Sequence, residues 1–287
     1  MTAFDYLPPL AHDDQAIAPD HGLFSVQPLT GGLGAEIDGV DLAKPLADAM
    51  KRALREALLH HLVLVFRDQQ LGPDELVALG HAFGDLHVNP FVAGLESHPE
   101  IMQIKSEENE EARFAGRWHS DITWEERPSL GSLLYAKTIP AYGGDTLFAN
   151  MYLAYESLSP TMRRTLDRLR GEHTAFQGHV RDAAFAEAPE KVVHPLVRTH
   201  PETGRKALFV NEYFTCGIDG MTSDEAAPIL DFLYRHMVRP EFTCRVRWSE
   251  GALVFWDNRC TQHYAANDYP GSKRLMWRVT INGDKPY

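Results

Sequence analysis

The stretch Arg274-Leu275-Met276-Trp277-Arg278-Val279-Thr280-Ile281 constrains the fold of this chain more than any other. Strand alternation puts Leu275, Trp277, Val279 and Ile281 on one face and Arg274, Met276, Arg278 and Thr280 on the other. The bulky face must pack on another layer, so this strand belongs to a covered sheet. The second face either meets solvent or lines a pocket. Two arginines four apart suit a pocket only if an anion enters it, because an unpaired buried guanidinium is costly. Arg grips carboxylate in a planar two-point contact, which makes an organic acid the natural occupant.

The rest of the chain reads as strands with a few helices. Residues 1–22 hold Pro8-Pro9, Pro19 and several acids without periodicity, and are expected to form a loose arm. Phe24 to Leu42 alternates around glycines as short strands and turns. Ala43 to His61 carries apolar residues at helical spacing, Leu62 to Phe66 is a buried strand, and a second helix runs from Pro73 to about Phe83. Strands are expected at Ile101–Lys105, Arg117–Trp124, Gly131–Thr138 and Asp145–Asn150, then a helix at Glu156–Leu169. Strands near Val192–Thr199 and Lys206–Asn211 precede a helix at Ser223–Val238. Strands return at Phe242–Trp248, Leu253–Trp256, Thr261–Ala265 and Arg274–Asn282. With no repeats and no linker, residues 23–287 read as one mainly β domain with covering helices.

Charge and cysteine content narrow the partners. A net charge of −12 over 287 residues argues against nucleic acid or an anionic membrane surface. Three widely spaced cysteines give neither a disulfide framework nor a zinc pattern, and the acidic first residues do not resemble a signal peptide. The longest apolar run is far too short to span a bilayer. A cytoplasmic protein is expected. Apolar residues in Asp231-Phe232-Leu233-Tyr234 offer a contact for a homo-oligomer, a dimer or tetramer.

Trp118-His119-Ser120-Asp121 carries the strongest chemical signal. On a strand His119 and Asp121 would share a face, supplying two ligands of a 2-His-1-carboxylate iron site. His-x-acid occurs four times, but the other three stand beside Pro or in a polar terminus. His263 follows a strand and an Asp257-Asn258 turn, which would hold an imidazole rigidly. Taken alone it fits a core histidine bonded to a backbone carbonyl better than a ligand. Gly143-Gly144-Asp145-Thr146 reads as a hairpin turn that allows close backbone approach and offers a hydroxyl donor.

Together these residues resemble the TauD/TfdA family of Fe(II)- and 2-oxoglutarate-dependent dioxygenases. The resemblance runs from about Phe24 to Tyr287, through Leu33–Leu42, Trp118–Asp121, Gly143–Thr146, His194–Pro201 and Trp256–Arg278. It implies a double-stranded β-helix core of the jelly-roll, cupin-like kind, with iron held by His119, Asp121 and His263. Thr146 and Arg274 would bind the distal carboxylate of 2-oxoglutarate. Arg278 would reach the acidic group of the substrate and help with the cosubstrate. O2 would complete the reaction, giving succinate, CO2 and a hydroxylated product.

Departures from the family pattern bear on the substrate. Asn89 and Val92 fall where taurine-cleaving members carry His and Tyr, whereas Phe214 matches an aromatic that packs on substrate. The segment between His173 and His194 is shorter than in those members, so the pocket lid should differ. Gly220-Met221-Thr222 and Phe242–Trp248 resemble members that cleave phenoxyalkanoates. The expected substrate is a small organic anion with an apolar part: a sulfonate, a sulfate ester or an aryloxy or alkyl carboxylate. Taurine itself, a metal-dependent hydrolase and a non-catalytic jelly-roll binding module are the alternatives.

Overall fold

A computed structural model describes residues 22–107, 116–175 and 190–287. Its largest unit is a nine-stranded sheet. The main path runs Ser25–Pro28, Ala35–Asp38, Val63–Phe66, Leu253–Asp257, Ser129–Thr138, Arg274–Asn282, His98–Ser106 and Gly94–Leu95. Leu86–His87 also pairs with Arg274–Asn282. Neighbours are antiparallel except Ala35–Asp38 beside Val63–Phe66. A smaller sheet, Thr243–Val246, Thr146–Asn150 and Thr261–Ala265, carries the elements around His263.

Val63–Phe66 and residues 253–256 are apolar throughout because both faces of the large sheet are covered. Val63, Val65, Leu134, Ala136, Val254, Trp256 and Met276 belong to one core, together with Phe148 of the smaller sheet. Leu64, Phe66, Leu133, Tyr135, Leu253, Phe255, Val279 and Ile281 belong to the other, against Leu54, Leu58, Leu76 and Leu79. Those leucines come from the helices Asp48–His61 and Pro73–His81. This mainly β sandwich with covering helices is the jelly-roll architecture that the resemblance implied.

Several boundaries differ from the expected ones. The first helix starts at Asp48, not Ala43: Pro45 disfavours helical backbone at Lys44, and Asp41 draws the Ala43 N–H into a turn (3.1 Å). The helix expected over Glu156–Leu169 is two, Met151–Glu156 and Pro160–Leu166. Asn150 caps the first and Ser159, ahead of Pro160, caps the second. Arg117–Trp124 is not a strand: one bridge joins His119 to His263, and residues 121–124 turn, with Ile122 at φ 47°. The contact face expected at Asp231–Tyr234 shrinks to Phe232, because Leu233 is buried and Tyr234 is tied to the Thr215 carbonyl. Residues 1–21 of the expected arm and residues 176–189 of the expected lid lie outside the described residues. Among the described residues no helix is long and apolar enough to cross a membrane.

Candidate metal and cosubstrate site

His119 and His263 are joined backbone to backbone, each N–H donating to the other's carbonyl (3.0 and 2.7 Å). That ladder rung brings the imidazoles to 4.1 Å between centroids. Asp121 reaches them from the turn after His119, not from a shared strand face. Nε2 of each histidine lies 3.9 Å from Asp121 Oδ1. The three ligand atoms lie within 4.8 Å of one another, and two imidazoles with one carboxylate are the donor chemistry that a first-row divalent ion takes. All three side chains are buried.

The protonation states suit ligation. Nδ1–H of His119 donates to the Arg117 carbonyl (2.9 Å), which leaves the lone pair on Nε2. Burial pushes His119 below its ordinary range, and burial with the neighbouring His119 pushes His263 down to about 3. Both imidazoles are therefore neutral near pH 7. Burial alone would raise Asp121, but the Arg278 guanidinium and the Ser132 hydrogen bond hold its carboxyl below the usual range. Ser132 Oγ donates to Asp121 Oδ2 (2.7 Å), and Arg278 Nη1 donates to Oδ1 (2.9 Å).

Arg274 lies on the same strand face as Arg278 and is 5% exposed. Its Nε has no hydrogen-bond partner, and among the described residues no salt bridge reaches it. Burial disfavours its charge, with Tyr269 and Asp145 opposing that effect. Gly144, at φ 70°, packs against it: a Cβ there would stand 3.4 Å from Arg274 Cδ and Nε. Two residues on, Thr146 Oγ accepts from Trp248 Nε1 (3.0 Å), which leaves the hydroxyl proton free to donate.

The expected substrate residues divide. Phe214 stands edge-on to His119 at 6.0 Å, and Tyr213 is closer at 5.4 Å. Asn89 lines a crevice with His87, Met102, Ile122, Arg278 and Thr280, but its Oδ1 accepts from the N–H groups of Phe91 and Val92. Asn89 therefore shapes its own loop, and Val92 is not part of that crevice. Sequence reading missed Ser132, Tyr213, Trp248 and Asn258. Tyr213, next to Phe214, Trp248, in Phe242–Trp248, and Asn258, in the turn before His263, lie in segments the sequence singles out, whereas Ser132 does not.

The family model described as "Taurine catabolism dioxygenase TauD, TfdA family" matches residues 25–280. An alkylsulfatase of Acinetobacter baylyi is 34% identical over 89% of this chain and 84% of its own length. An alpha-ketoglutarate-dependent sulfate ester dioxygenase of Pseudomonas putida is 33% identical over 94% and 93%. The crystal structure of a taurine dioxygenase from Burkholderia xenovorans superposes with a TM-score of 0.81 at 37% identity, covering 92% of each chain. The chain belongs to the TauD/TfdA family, and is a non-haem iron, 2-oxoglutarate-dependent dioxygenase.

Proposed function

We propose that this dioxygenase hydroxylates a small organic anion, a sulfate ester first, at the carbon beside the ester oxygen so that the product fragments. The observation that carries the reading is the pair of guanidiniums on one strand face. Arg278 stands on Asp121 and Arg274 is buried without a carboxylate partner. One cation serves the cosubstrate and the other the substrate. Similarity to the alkylsulfatase and to the sulfate ester dioxygenase supports the sulfate ester as the first substrate to test.

His119, Asp121 and His263 would hold Fe(II) by two Nε2 atoms and Oδ1. Held there, Fe(II) would supply the redox chemistry that links oxidative decarboxylation of 2-oxoglutarate by O2 to insertion of one oxygen atom into a substrate C–H bond. Arg274 and the Thr146 hydroxyl would orient the distal carboxylate, and the Trp248 indole fixes that hydroxyl. Arg278, within 2.9 Å of Asp121, brings positive charge to the edge of the metal site, where the sulfate group would dock. Tyr213 and Phe214 flank His119 and would exclude water on the apolar side. Hydroxylation of R–CH2–OSO3⁻ gives R–CH(OH)–OSO3⁻. Loss of the hydroxyl proton and of sulfate then leaves the aldehyde R–CHO.

The test is incubation with Fe(II), 2-oxoglutarate and O2 and a panel of alkyl sulfates, alkylsulfonates, taurine and aryloxyalkanoates. Succinate should form stoichiometrically with sulfate and aldehyde from an alkyl sulfate. Sulfate release without O2 or succinate would mean a hydrolase, and succinate only with another panel acid would move the substrate class.

A further inference from the structure

Asn258 sits in the turn between Leu253–Asp257 and Thr261–Ala265 and is 2% exposed. Its backbone N–H donates to the Leu130 carbonyl (2.9 Å), tying the turn to the strand Ser129–Thr138. Its Oδ1 accepts from Trp256 Nε1 (2.9 Å) and from the backbone N–H of Asp121 (3.2 Å). Its Nδ2 donates to Ser132 Oγ (3.0 Å) and to Asp121 Oδ2 (3.3 Å). The two donors facing Oδ1 settle the orientation of the carboxamide, because a flipped Asn would set N–H against N–H. Its amide nitrogen must therefore face the aspartate.

We propose that Asn258, with Ser132, is a positioning residue that selects which oxygen Asp121 presents to the metal. Oδ2 is held by two donors, Ser132 Oγ at 2.7 Å and Asn258 Nδ2 at 3.3 Å. Oδ1 accepts from Arg278 Nη1 at 2.9 Å and keeps its remaining lone pair toward Nε2 of His119 and of His263, each at 3.9 Å. A carboxylate without that restraint can turn and offer both oxygens to one ion. It would then occupy a position that the chelating 2-oxo acid requires. Asn258 also grips the Asp121 main chain, so one side chain sets both the turn and the carboxylate plane. This inference rests on the reading of His119, Asp121 and His263 as the metal ligands.

Co(II) titration followed by visible ligand-field absorption, with and without 2-oxoglutarate, tests it without turnover. Asn258→Ala should weaken Co(II) binding roughly 10- to 100-fold and change the band shape. Asn258→Asp keeps the accepting half of the interaction and loses the donating half, so it should behave likewise. Ser132→Ala should shift in the same direction. Circular dichroism checks folding, and if Asn258→Ala does not fold the other two variants decide. Unaltered affinity and spectrum in every folded variant would overturn the proposal. No Co(II) binding by the unsubstituted protein would instead remove the metal-site reading beneath it.

Discussion

Arg274 and Arg278 share a strand face but not an environment. Arg278 donates to Asp121 and touches Met102 Sδ, whereas buried Arg274 has no carboxylate partner among the described residues and lies 6.0 Å from the Tyr269 ring. Desolvating a guanidinium is offset only when an anion supplies the missing hydrogen bonds, so Arg274 marks where the cosubstrate carboxylate would lie. Arg274→Ala should weaken 2-oxoglutarate by about 2–5 kcal/mol in a direct titration of the metal-loaded protein. Metal affinity should change little, because no hydrogen bond joins Arg274 to the three ligands. Unchanged cosubstrate affinity would take the carboxylate away from this residue.

The critical element pair is Ser129–Thr138 beside Leu253–Asp257. Gly131 stands opposite Asp257 on one side and Ile281 on the other. A Cβ at Gly131 would lie 2.5 Å from the Trp256 carbonyl oxygen and 3.1 Å from Phe255 Cε2. Backbone cannot yield as a side-chain tip can, so Gly131→Ala must push the two strands apart. Overpacking of this kind costs about 1–3 kcal/mol. The displaced segment also carries Ser132 on one strand and leads into Asn258 on the other. Chemical denaturation should show the loss of stability, and the same variant should bind Co(II) more weakly than its stability alone would require.

Across the whole molecule, buried histidines make stability depend on acid. His61 ends the first helix, 7% exposed, with Nε2 unpartnered. Burial, with a smaller effect of His60, pushes it down to about 4 from an ordinary 6.5. Between those values the unfolded chain binds the proton and the folded chain does not. Stability is therefore complete above about pH 6.5 and falls as the pH drops toward 4, by about 1.4 kcal/mol per unit from this group at most. His61→Phe keeps the ring and removes the titration. Its urea unfolding midpoint should fall less steeply than that of the unsubstituted protein over this range, and parallel slopes would exclude His61 as the source.

Alternation in Arg274–Asn282 and the apolar runs at Val63–Phe66 and Leu253–Asp257 were enough to identify a covered sheet, because period-2 side-chain direction is local. The motifs around His119, Thr146 and His263 carried the resemblance to the family, which the family match over residues 25–280 bears out. Local pattern misjudged Arg117–Trp124: the chain pairs only at His119 and turns at Asp121–Trp124, since Ser120 Oγ donates to the Thr261 carbonyl and Asn258 Oδ1 accepts from the Asp121 N–H. It was also blind to Ser132, which sits in an apolar strand yet donates to Asp121 across the sheet. Residue types and their order thus determined which groups could bind metal and carboxylate. Which oxygen of Asp121 faces the histidines depended on Ser132, eleven positions on, and on Asn258 and Arg278, more than a hundred positions away, and only the packed structure brings these together and leaves Arg274 without a carboxylate partner among the described residues.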